Sequence, residues 1–587
     1  MKNEYTIVKQ LFIELWPAQF FSVITSGLSA IINGLIVGNY LDVASMAAIG
    51  LATPLSKVFS ATSVIVAGGA RILCGRCLGR GEVDKINKIF TIAIKIITVL
   101  GIIFTAVCLL FSTPLASLFG AAGETIETTS TYIRGLAVGI VPTLVIPVLM
   151  VFLQMGNESK MAFVGTLLIA ILNCIFGLIN VFVIKGGVFG VGLASSISVY
   201  LALLFIAFLF IKKDNLMKYE KHISLDLSLI KTIAILGFPS ALTELLYATR
   251  NTVINNVATS IDGTKAAAAL SVMGSSSLPF DAVAIGLGGV VAMLSSVAYG
   301  EQDKTSLKTL FKFAFIFGEA LTLIRIILYF GCAKYIAIIF GTQADLIDYV
   351  ATLLRYYAVA MPLNILPVVI TNTYQSLGKV KLDNVLLVFT CIIFPLSTVY
   401  IFSSFMGING VWSCYYVAEI CITLLIMLIC TFKNKKIPTS IEDILMLDNN
   451  FGIKDEDKIA ITINTINEVT NISEKVTNFA LAKGADKKRS NMCGLCIEEM
   501  AANIVEHGFT KGKQNKKYVI DVFVMYKDEQ FTIRLKDNCV PFDPHTKLKM
   551  YNPEDPCKNI GIRMVSKIAK TMNYQSTFGM NVLTITL

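Results

Sequence analysis

The sequence is poor in charged residues. Only 15% of its 587 residues are Asp, Glu, Lys or Arg, and only three are histidines, whereas soluble domains carry about 25% charged residues. Apolar residues make up 55% of the chain, and its mean hydropathy is +0.69. This composition excludes an ordinary soluble protein, a disordered chain and a nucleic-acid-binding protein of ordinary composition. Thirteen cysteines are scattered, mostly in apolar runs, which excludes a secreted disulfide framework.

The scarcity of charge ends near Lys436. Only 51 of the first 436 residues are charged, whereas 39 of the last 151 are. We therefore expect a membrane-embedded part at 1–432, a basic linker at 433–455 and a soluble domain at 456–587. That domain is long enough to bury a core of its own.

Twelve apolar segments of the first part are long enough to cross a bilayer, which takes about 20 residues. We place them at 12–37, 46–72, 89–112, 130–153, 161–184, 189–211, 230–257, 268–298, 310–332, 349–374, 383–405 and 409–432. Lys and Arg concentrate in the even-numbered loops, and basic loops stay in the cytoplasm. The sequence thus predicts a multi-pass protein in the lipid bilayer of the cell membrane, with both termini cytoplasmic.

The membrane part repeats itself at an offset of 219–222 residues. Corresponding residues include Gly79 and Gly300, Arg134 and Arg355, Pro147 and Pro367, and Gln154 and Gln375. Each half, about 1–222 and 223–432, therefore holds six helices, and an even number makes the two repeats parallel. Transporters built from such repeats place their substrate between two lobes and rock them for alternating access.

These features resemble the multidrug and toxic compound extrusion (MATE) family of secondary transporters. The resemblance rests on Pro17 and Pro239 near the start of each half, on the Gly-rich second helix of each half, and on the turns that begin at Gln154 and Gln375. It implies an all-α domain of twelve helices in two six-helix repeats. It also implies antiport of small cationic or amphipathic molecules, including xenobiotics, against inward Na⁺ or H⁺.

Ionisable residues at membrane depth are functional candidates, because charge in a bilayer is costly. The family often has an acid in the first helix, five residues before a glycine, and here that position is Asn33. The second half carries Glu244 and Arg250 on helix seven and Asp281 on helix eight. We expect Glu244 and Asp281 to bind the coupling ion or a cation, with Asn33 and Arg250 as further candidates. The alternative is that arginines pair with these acids for structural reasons.

The C-terminal domain is predicted to be α+β, with helices on one face of a mixed sheet. Helices are expected at 456–482, 489–508 and 560–573, and strands at 518–526, 530–536 and 582–587.

Three motifs lie on this frame. Glu499 and Asn503 share one face of a helix at i and i+4, and a carboxylate with an amide suits Mg²⁺. Asp537 directly follows a strand, where it can accept a hydrogen bond from an exocyclic amine. Asn559 and Gly561 stand at the start of a helix, where backbone N–H groups meet phosphate.

In this order and spacing the motifs resemble the GHKL-type ATP-binding fold, a histidine kinase-like ATPase, and in particular the anti-sigma-factor serine kinases. The resemblance implies ATP and Mg²⁺ as cofactors and a lid at 544–558. The implied roles are general base for Glu499, magnesium ligand for Asn503, adenine recognition for Asp537, and phosphate binding for Asn559 and Gly561. Cys539 departs from the family pattern, which usually has glycine there.

Two functions remain open. The first is ion-coupled efflux regulated by a cytoplasmic ATP-binding domain. ATP is not the expected energy source, because the chain has no P-loop motif. The second is a membrane-bound serine kinase or anti-sigma-type signalling protein that senses a ligand through the transporter-like part and acts on a cytosolic regulatory protein. Neither function involves nucleic acid.

Overall fold

The structure is a computed structural model, and it describes residues 6–156, 158–212, 217–340, 342–448, 451–463, 465–509, 518–549 and 560–587. A helical membrane part is followed by a C-terminal α+β domain, which confirms the predicted fold class.

The membrane part is built from long apolar helices. Their bounds are α1 Thr6–Tyr40, α2 Val43–Arg80, α3 Val83–Leu110, α4 Ser112–Leu118, α5 Thr125–Ala137, α6 Ile140–Met155, α7 Ser159–Ile179, α8 Gly187–Lys212, α9 Leu227–Asp262, α10 Thr264–Gly300, α11 Lys304–Ile339, α12 Ile347–Ser376, α13 Val380–Val388, α14 Phe394–Met406 and α15 Ile408–Asn434. Short π-helical turns, Asn180–Ile184 and Phe389–Ile393, extend α7 and join α13 to α14.

The described residues contain eleven spans that are long and apolar enough to cross a membrane. The count becomes twelve if α5 and α6, which meet at an angle of 47°, form one span. Each of the twelve predicted segments overlaps one of these spans. Helices α1 to α8 form the first lobe and α9 to α15 the second lobe.

The two lobes meet along α1, α2, α9 and α10. Near the C-terminal ends of α2 and α10, Gly79 lies against the carbonyl of Val297, and Gly300 lies against the carbonyl of Arg76. Neither glycine has room for a Cβ atom, so the two backbones touch. The Arg76 guanidinium also crosses the boundary, with Nη2 2.6 Å from the carbonyl oxygen of Ser376 on α12. The lobes are therefore closed on each other at this end of the bundle, which we call the docked end.

The C-terminal domain has one five-stranded sheet and three helices longer than six residues within the described ranges. Its elements are β1 Lys458–Ile463, α17 Ile466–Ala482, α18 Lys487–Asn503, β2 Ile520–Lys527, β3 Gln530–Asp537, α19 Pro544–Lys549, α20 Ile560–Ile568, β4 Thr571–Thr577 and β5 Met580–Thr586. The strand order is β1-β2-β3-β5-β4, and all four pairings are antiparallel.

The structure corrects three predictions for this domain. The mixed sheet is wrong, because every pairing is antiparallel. The start of the predicted helix at 456–482 is the edge strand β1, whose alternating isoleucines have the period of a strand rather than a helix. The predicted helix at 560–573 ends at Ile568, and β4 follows. This strand is largely polar, so it lacks the hydrophobic pattern that identifies a strand.

The sheet has two different faces, because side chains alternate along a strand. On one face Phe531, Ile533 and Leu535 of β3 pack with the domain's helices in its hydrophobic core. On the other face Arg534 and Lys536 point to the helical bundle, where they meet Glu301. The second face of the sheet therefore lies on the docked end.

A short linker helix, α16 Ile441–Leu445, fixes the connection to the second lobe. Glu442 forms ion pairs with Lys304 and Lys308 of α11. Lys379, before α13, donates to the carbonyl oxygen of Leu445 over 2.7 Å. The domain therefore begins from a rigid attachment on the second lobe.

Candidate functional sites

Asp281 of α10 is the centre of a polar cluster inside the second lobe. The hydroxyl of Tyr357 on α12 donates to its Oδ1 over 2.6 Å, and the hydroxyl of Ser277 donates to its Oδ2 over 2.7 Å. Nη2 of Arg325 on α11 lies 3.4 Å from Oδ1. The Arg325 side chain is buried, at 5% exposure, whereas that of Asp281 is 38% exposed. The carboxylate is thus held by three helices and remains open on one side.

Glu419 of α15 is another acid in this lobe, and it is buried, at 7% exposure. Nδ2 of Asn364 donates to its Oε1 over 2.9 Å, while its Oε2 has no hydrogen-bond partner among the described residues. Arg250 of α9 stacks on the ring of Tyr247, 4.4 Å from the ring centroid, and its Nε is also buried without a partner in the described part of the chain. Glu419 lies in the predicted apolar segment 409–432, but the sequence gives no reason to single it out.

Glu244, another predicted transport residue, takes its ion pair on the first lobe. Glu244 of α9 pairs with Lys57 of α2 over 3.3 Å, and both side chains are more than 40% exposed. This pair joins the two lobes. Asn33 lies within α1 of the first lobe. Glu244 is therefore paired across the two lobes, whereas Asp281 is paired within the second lobe.

Three of the predicted nucleotide-site residues, Glu499, Asn503 and Gly561, lie together on the helical face of the sheet. Glu499 and Asn503 lie one turn apart near the end of α18. Gly561, in the first turn of α20, is buried against the Glu499 carboxylate, and a Cβ on Gly561 would collide with it. The close approach requires glycine and places the predicted base beside a helix N-terminus, which favours anions. Asn559 and residues 550–558 of the predicted lid lie outside the described residues.

Asp537 ends β3 in a hydrogen-bond network that the sequence does not reveal. Its Oδ1 accepts from the backbone N–H of Cys539 over 2.9 Å and from Nδ2 of Asn581 over 2.8 Å. The hydroxyl of Tyr574 donates to Oδ1 of Asn581 over 2.9 Å and accepts from the N–H of Phe542. Asp537 is 5% exposed. The network fixes the carboxylate, and the β3–β5 register, which pairs Asp537 with Asn581, is the signal that identifies it.

The residues present suit Mg²⁺ only together with a nucleotide. No group of three or more His, Cys, Asp or Glu side chains in the described ranges could hold a metal alone. Glu499 and Asn503 offer oxygen atoms on one helix face, and Mg²⁺ completes its shell with phosphate oxygens and water. Asn503 would therefore hold the metal as part of a metal–nucleotide complex.

Comparison with known proteins identifies the family of the membrane part. The family model described as MatE matches residues 17–179 and 239–401, one match in each lobe. These matches cover more than half of the chain. The chain belongs to the MatE family.

Relatives of this MatE chain include multidrug export proteins of staphylococci. The multidrug export protein MepA of Staphylococcus haemolyticus is 24% identical over 444 residues, which cover 74% of this chain and 95% of the relative. MepA of Staphylococcus aureus strain MSSA476 is 22% identical over 415 residues, covering 70% of this chain and 91% of the relative. The MatE part is thus homologous to multidrug efflux transporters.

Solved structures share the fold of the MatE part. An outward-facing MATE multidrug resistance transporter of the MOP superfamily has a TM-score of 0.66 at 21% identity, covering 72% of this chain and 94% of its own. A MOP superfamily transporter from Pyrococcus furiosus, described as having a binding pocket of reverse polarity, has a TM-score of 0.67 at 21% identity, with the same coverages.

The C-terminal domain of this MatE chain matches a second family. Residues 464–587 match the histidine kinase-like ATPase domain, and such a domain implies ATP binding. The match begins just after the edge strand β1.

Proposed function

We propose that the protein is an antiporter that exports small, cationic or amphipathic molecules across the cell membrane in exchange for Na⁺ or H⁺. The observation that carries the proposal is Asp281, a carboxylate inside the second lobe that is paired with Arg325 and open on one side. In a low-dielectric surrounding, a carboxylate must remain paired, take up a proton or bind a cation. Exchange of the arginine for an ion or a cationic substrate therefore links binding to rearrangement of three helices.

The remaining candidates have supporting roles in this proposal. Glu419, with one oxygen unpartnered among the described residues, is a further acid for the coupling ion, and Arg250 supplies positive charge nearby. The Glu244–Lys57 pair joins the lobes and breaks when they separate. Asn33 offers an amide oxygen that can ligate Na⁺ but cannot exchange a proton at neutral pH. In this proposal, the residues that take up and release protons therefore lie in the second lobe.

The docked end faces the cytoplasm in this proposal, because its loops carry the excess of Lys and Arg. The C-terminal domain then binds Mg²⁺–ATP from the cytosol. Asp537 recognises the adenine amine, Asn503 holds the metal, and Gly561 with Asn559 receives the phosphates. The nucleotide regulates transport, and the ion gradient drives it.

Efflux from liposomes tests the proposal. Purified protein is reconstituted with a cationic dye inside, and a pH or Na⁺ gradient is imposed without ATP. We expect dye movement that depends on the gradient and disappears when it is collapsed. Dye movement that requires ATP hydrolysis, or the absence of movement under either gradient, would refute the proposal.

A signalling kinase is the second candidate, and one observation favours it. The Glu499 carboxylate lies directly against Gly561, so the predicted general base stands where a terminal phosphate would be received. Transfer of phosphate to a serine of a cytosolic regulatory protein would show this activity. Glu499→Gln should abolish the transfer and leave gradient-driven efflux intact; equal loss of both would argue against separate activities.

A further inference from the structure

The C-terminal domain touches both lobes of the bundle. On the second lobe, Nζ of Lys536 lies 2.6 Å from Oε2 of Glu301, and Arg534 lies 4.0 Å from the same atom. Glu301 follows α10 and is 5% exposed. Lys458 donates to the hydroxyl of Thr305 over 3.1 Å. Together with the α16 attachment, these contacts anchor the domain on the second lobe.

The contacts with the first lobe come from the same face of the sheet. Nδ2 of Asn538 donates to Oε1 of Gln10 on α1 over 3.1 Å. Nε2 of Gln575 on β4 donates to the carbonyl oxygen of Leu78 near the end of α2 over 2.8 Å. The backbone N–H of Phe578, in the β4–β5 turn, donates to the carbonyl oxygen of Met155 on α6 over 3.2 Å, and its side chain, 4% exposed, joins the apolar cluster of the bundle. The domain thus bridges two bodies that must separate at this end for the site between them to open toward it.

The bridge passes through the predicted nucleotide site. Lys536, Asp537 and Asn538 are consecutive, and their side chains alternate between the two faces. Lys536 contacts the second lobe, Asn538 contacts the first lobe, and Asp537 between them faces the nucleotide side. Any rearrangement of this segment on nucleotide binding therefore acts on both lobes at once.

We propose that the C-terminal domain is a latch that holds the two lobes together at the docked end, and that bound nucleotide strengthens it. Docking fixes the segment around Asp537 before the nucleotide arrives, so the docked form loses less conformational freedom on binding. By linkage, a ligand that prefers the docked form shifts the equilibrium toward it. The inference rests on the proposed function, in which the lobes alternate and the domain regulates them.

Distances between the lobes test the latch in the full-length protein in lipid nanodiscs. Lys160 and Lys381 are exposed at the starts of α7 and α13, one on each lobe. Spin labels on non-natural residues at these two positions avoid the native cysteines. In the wild type, Mg²⁺ with a non-hydrolysable ATP analogue should increase the short-distance population.

Variants on the first-lobe side should release the latch. Phe578→Ala combined with Gln575→Ala should raise the long-distance population several-fold and weaken nucleotide binding by a similar factor. Gln10→Ala should shift both measurements in the same direction by less, and it lies outside the domain, so it leaves the domain's own fold untouched. Lys527→Ala, which removes a contact with Gln302 of the second lobe only, is the matched control and should change neither.

The outcomes of these measurements distinguish the latch proposal from the transport proposal. Unchanged distances in the double variant, or an equal shift in Lys527→Ala, would overturn the latch. A wild type that is insensitive to the nucleotide analogue would overturn its coupling to the nucleotide. The distances need no flux, so a distance shift without efflux would refute the transport proposal alone, and efflux without a distance shift would refute the latch alone.

Discussion

The two lobes share one topology but differ in where they carry charge. The second lobe has acids at membrane depth, Asp281 and Glu419, with Arg250 and Arg325 near them. In the first lobe the polar contacts inside the bundle include neutral pairs: Nε2 of Gln19 donates to Gln154, and the hydroxyl of Ser195 donates to Asn173. In the proposed function, the helices that both lobes share carry the rocking motion, and the acids of the second lobe carry the ion chemistry.

The same contrast appears at the docked end. The domain meets the second lobe through ionic contacts with Glu301 and through the Glu442 attachment. It meets the first lobe through contacts that include neutral hydrogen bonds from Asn538, Gln575 and the Phe578 backbone. The domain's contacts with the second lobe are therefore stronger than its contacts with the first lobe. This difference suits a latch that remains bound to the second lobe and dissociates from the first.

Loss of the Asp281 carboxylate should have the largest effect. Asp281→Asn keeps the side-chain shape but removes the charge that pairs with Arg325, and we expect gradient-driven efflux to be abolished. Efflux of a cationic dye from liposomes measures this. Asp348→Asn is the control, because Asp348 lies in the same lobe at an exposed pair with Lys334. Full activity of Asp281→Asn would contradict the assignment of the coupling ion to Asp281.

Loss of the Glu301 charge should come next. Glu301→Gln leaves Lys536 and Arg534 buried without their anion, and breaking a buried pair from one side costs about 3 kcal/mol. Gln10→Ala on the first lobe removes a neutral hydrogen bond, which contributes about 1 kcal/mol. Hydrogen exchange of β3 amides in the full chain measures both as free energies of opening. A reversed order would contradict the ionic anchor on the second lobe.

Loss of the Asp537 carboxylate should weaken nucleotide binding by about tenfold, which corresponds to about 1.4 kcal/mol. Asp537→Asn retains a hydrogen-bond acceptor but presents an amide to the adenine amine. Titration of the full chain with a fluorescent ATP analogue measures the change. Asp528→Asn, in the exposed β2–β3 turn, is the matched control. Equal affinity in both variants would exclude Asp537 from the nucleotide site.

More of the fold than of the candidate site could be predicted from the sequence. The apolar segments identify the spans, and the offset between corresponding residues such as Gly79 and Gly300 identifies the repeat. Both patterns recur along the chain. The roles of Asn581 and Tyr574 could not be predicted, since their hydrogen-bond network with Asp537 depends on the register of the strands. The contacts of Glu301 could not be predicted either, because the sequence does not show which residues will pack over a charged residue in a loop.

Docking should depend weakly on pH through Asp521 of β2. Burial raises the pKa of this carboxylate above its ordinary value of 3.8, although hydrogen bonds from Thr462 and from the Ile7 backbone, and the charge of Lys536, oppose the rise; Asp303 adds to it. The undocked carboxylate would return toward 3.8, so the docked form binds a proton more readily. Docking should therefore strengthen as the pH falls through the raised pKa and gain nothing below the ordinary value.

Hydrogen exchange at a series of pH values measures this effect. Asp521→Asn should flatten the pH dependence, because it keeps the acceptor and removes the titrating charge. A dependence unchanged in this variant would assign it to another group at the docked end.

Gradient-driven efflux at a fixed ion gradient, with and without a non-hydrolysable ATP analogue on the domain side, tests the central claim most directly. The account predicts efflux without nucleotide and slower efflux with the analogue, and it predicts that Phe578→Ala with Gln575→Ala removes the slowing. Efflux that appears only with hydrolysable ATP would contradict it.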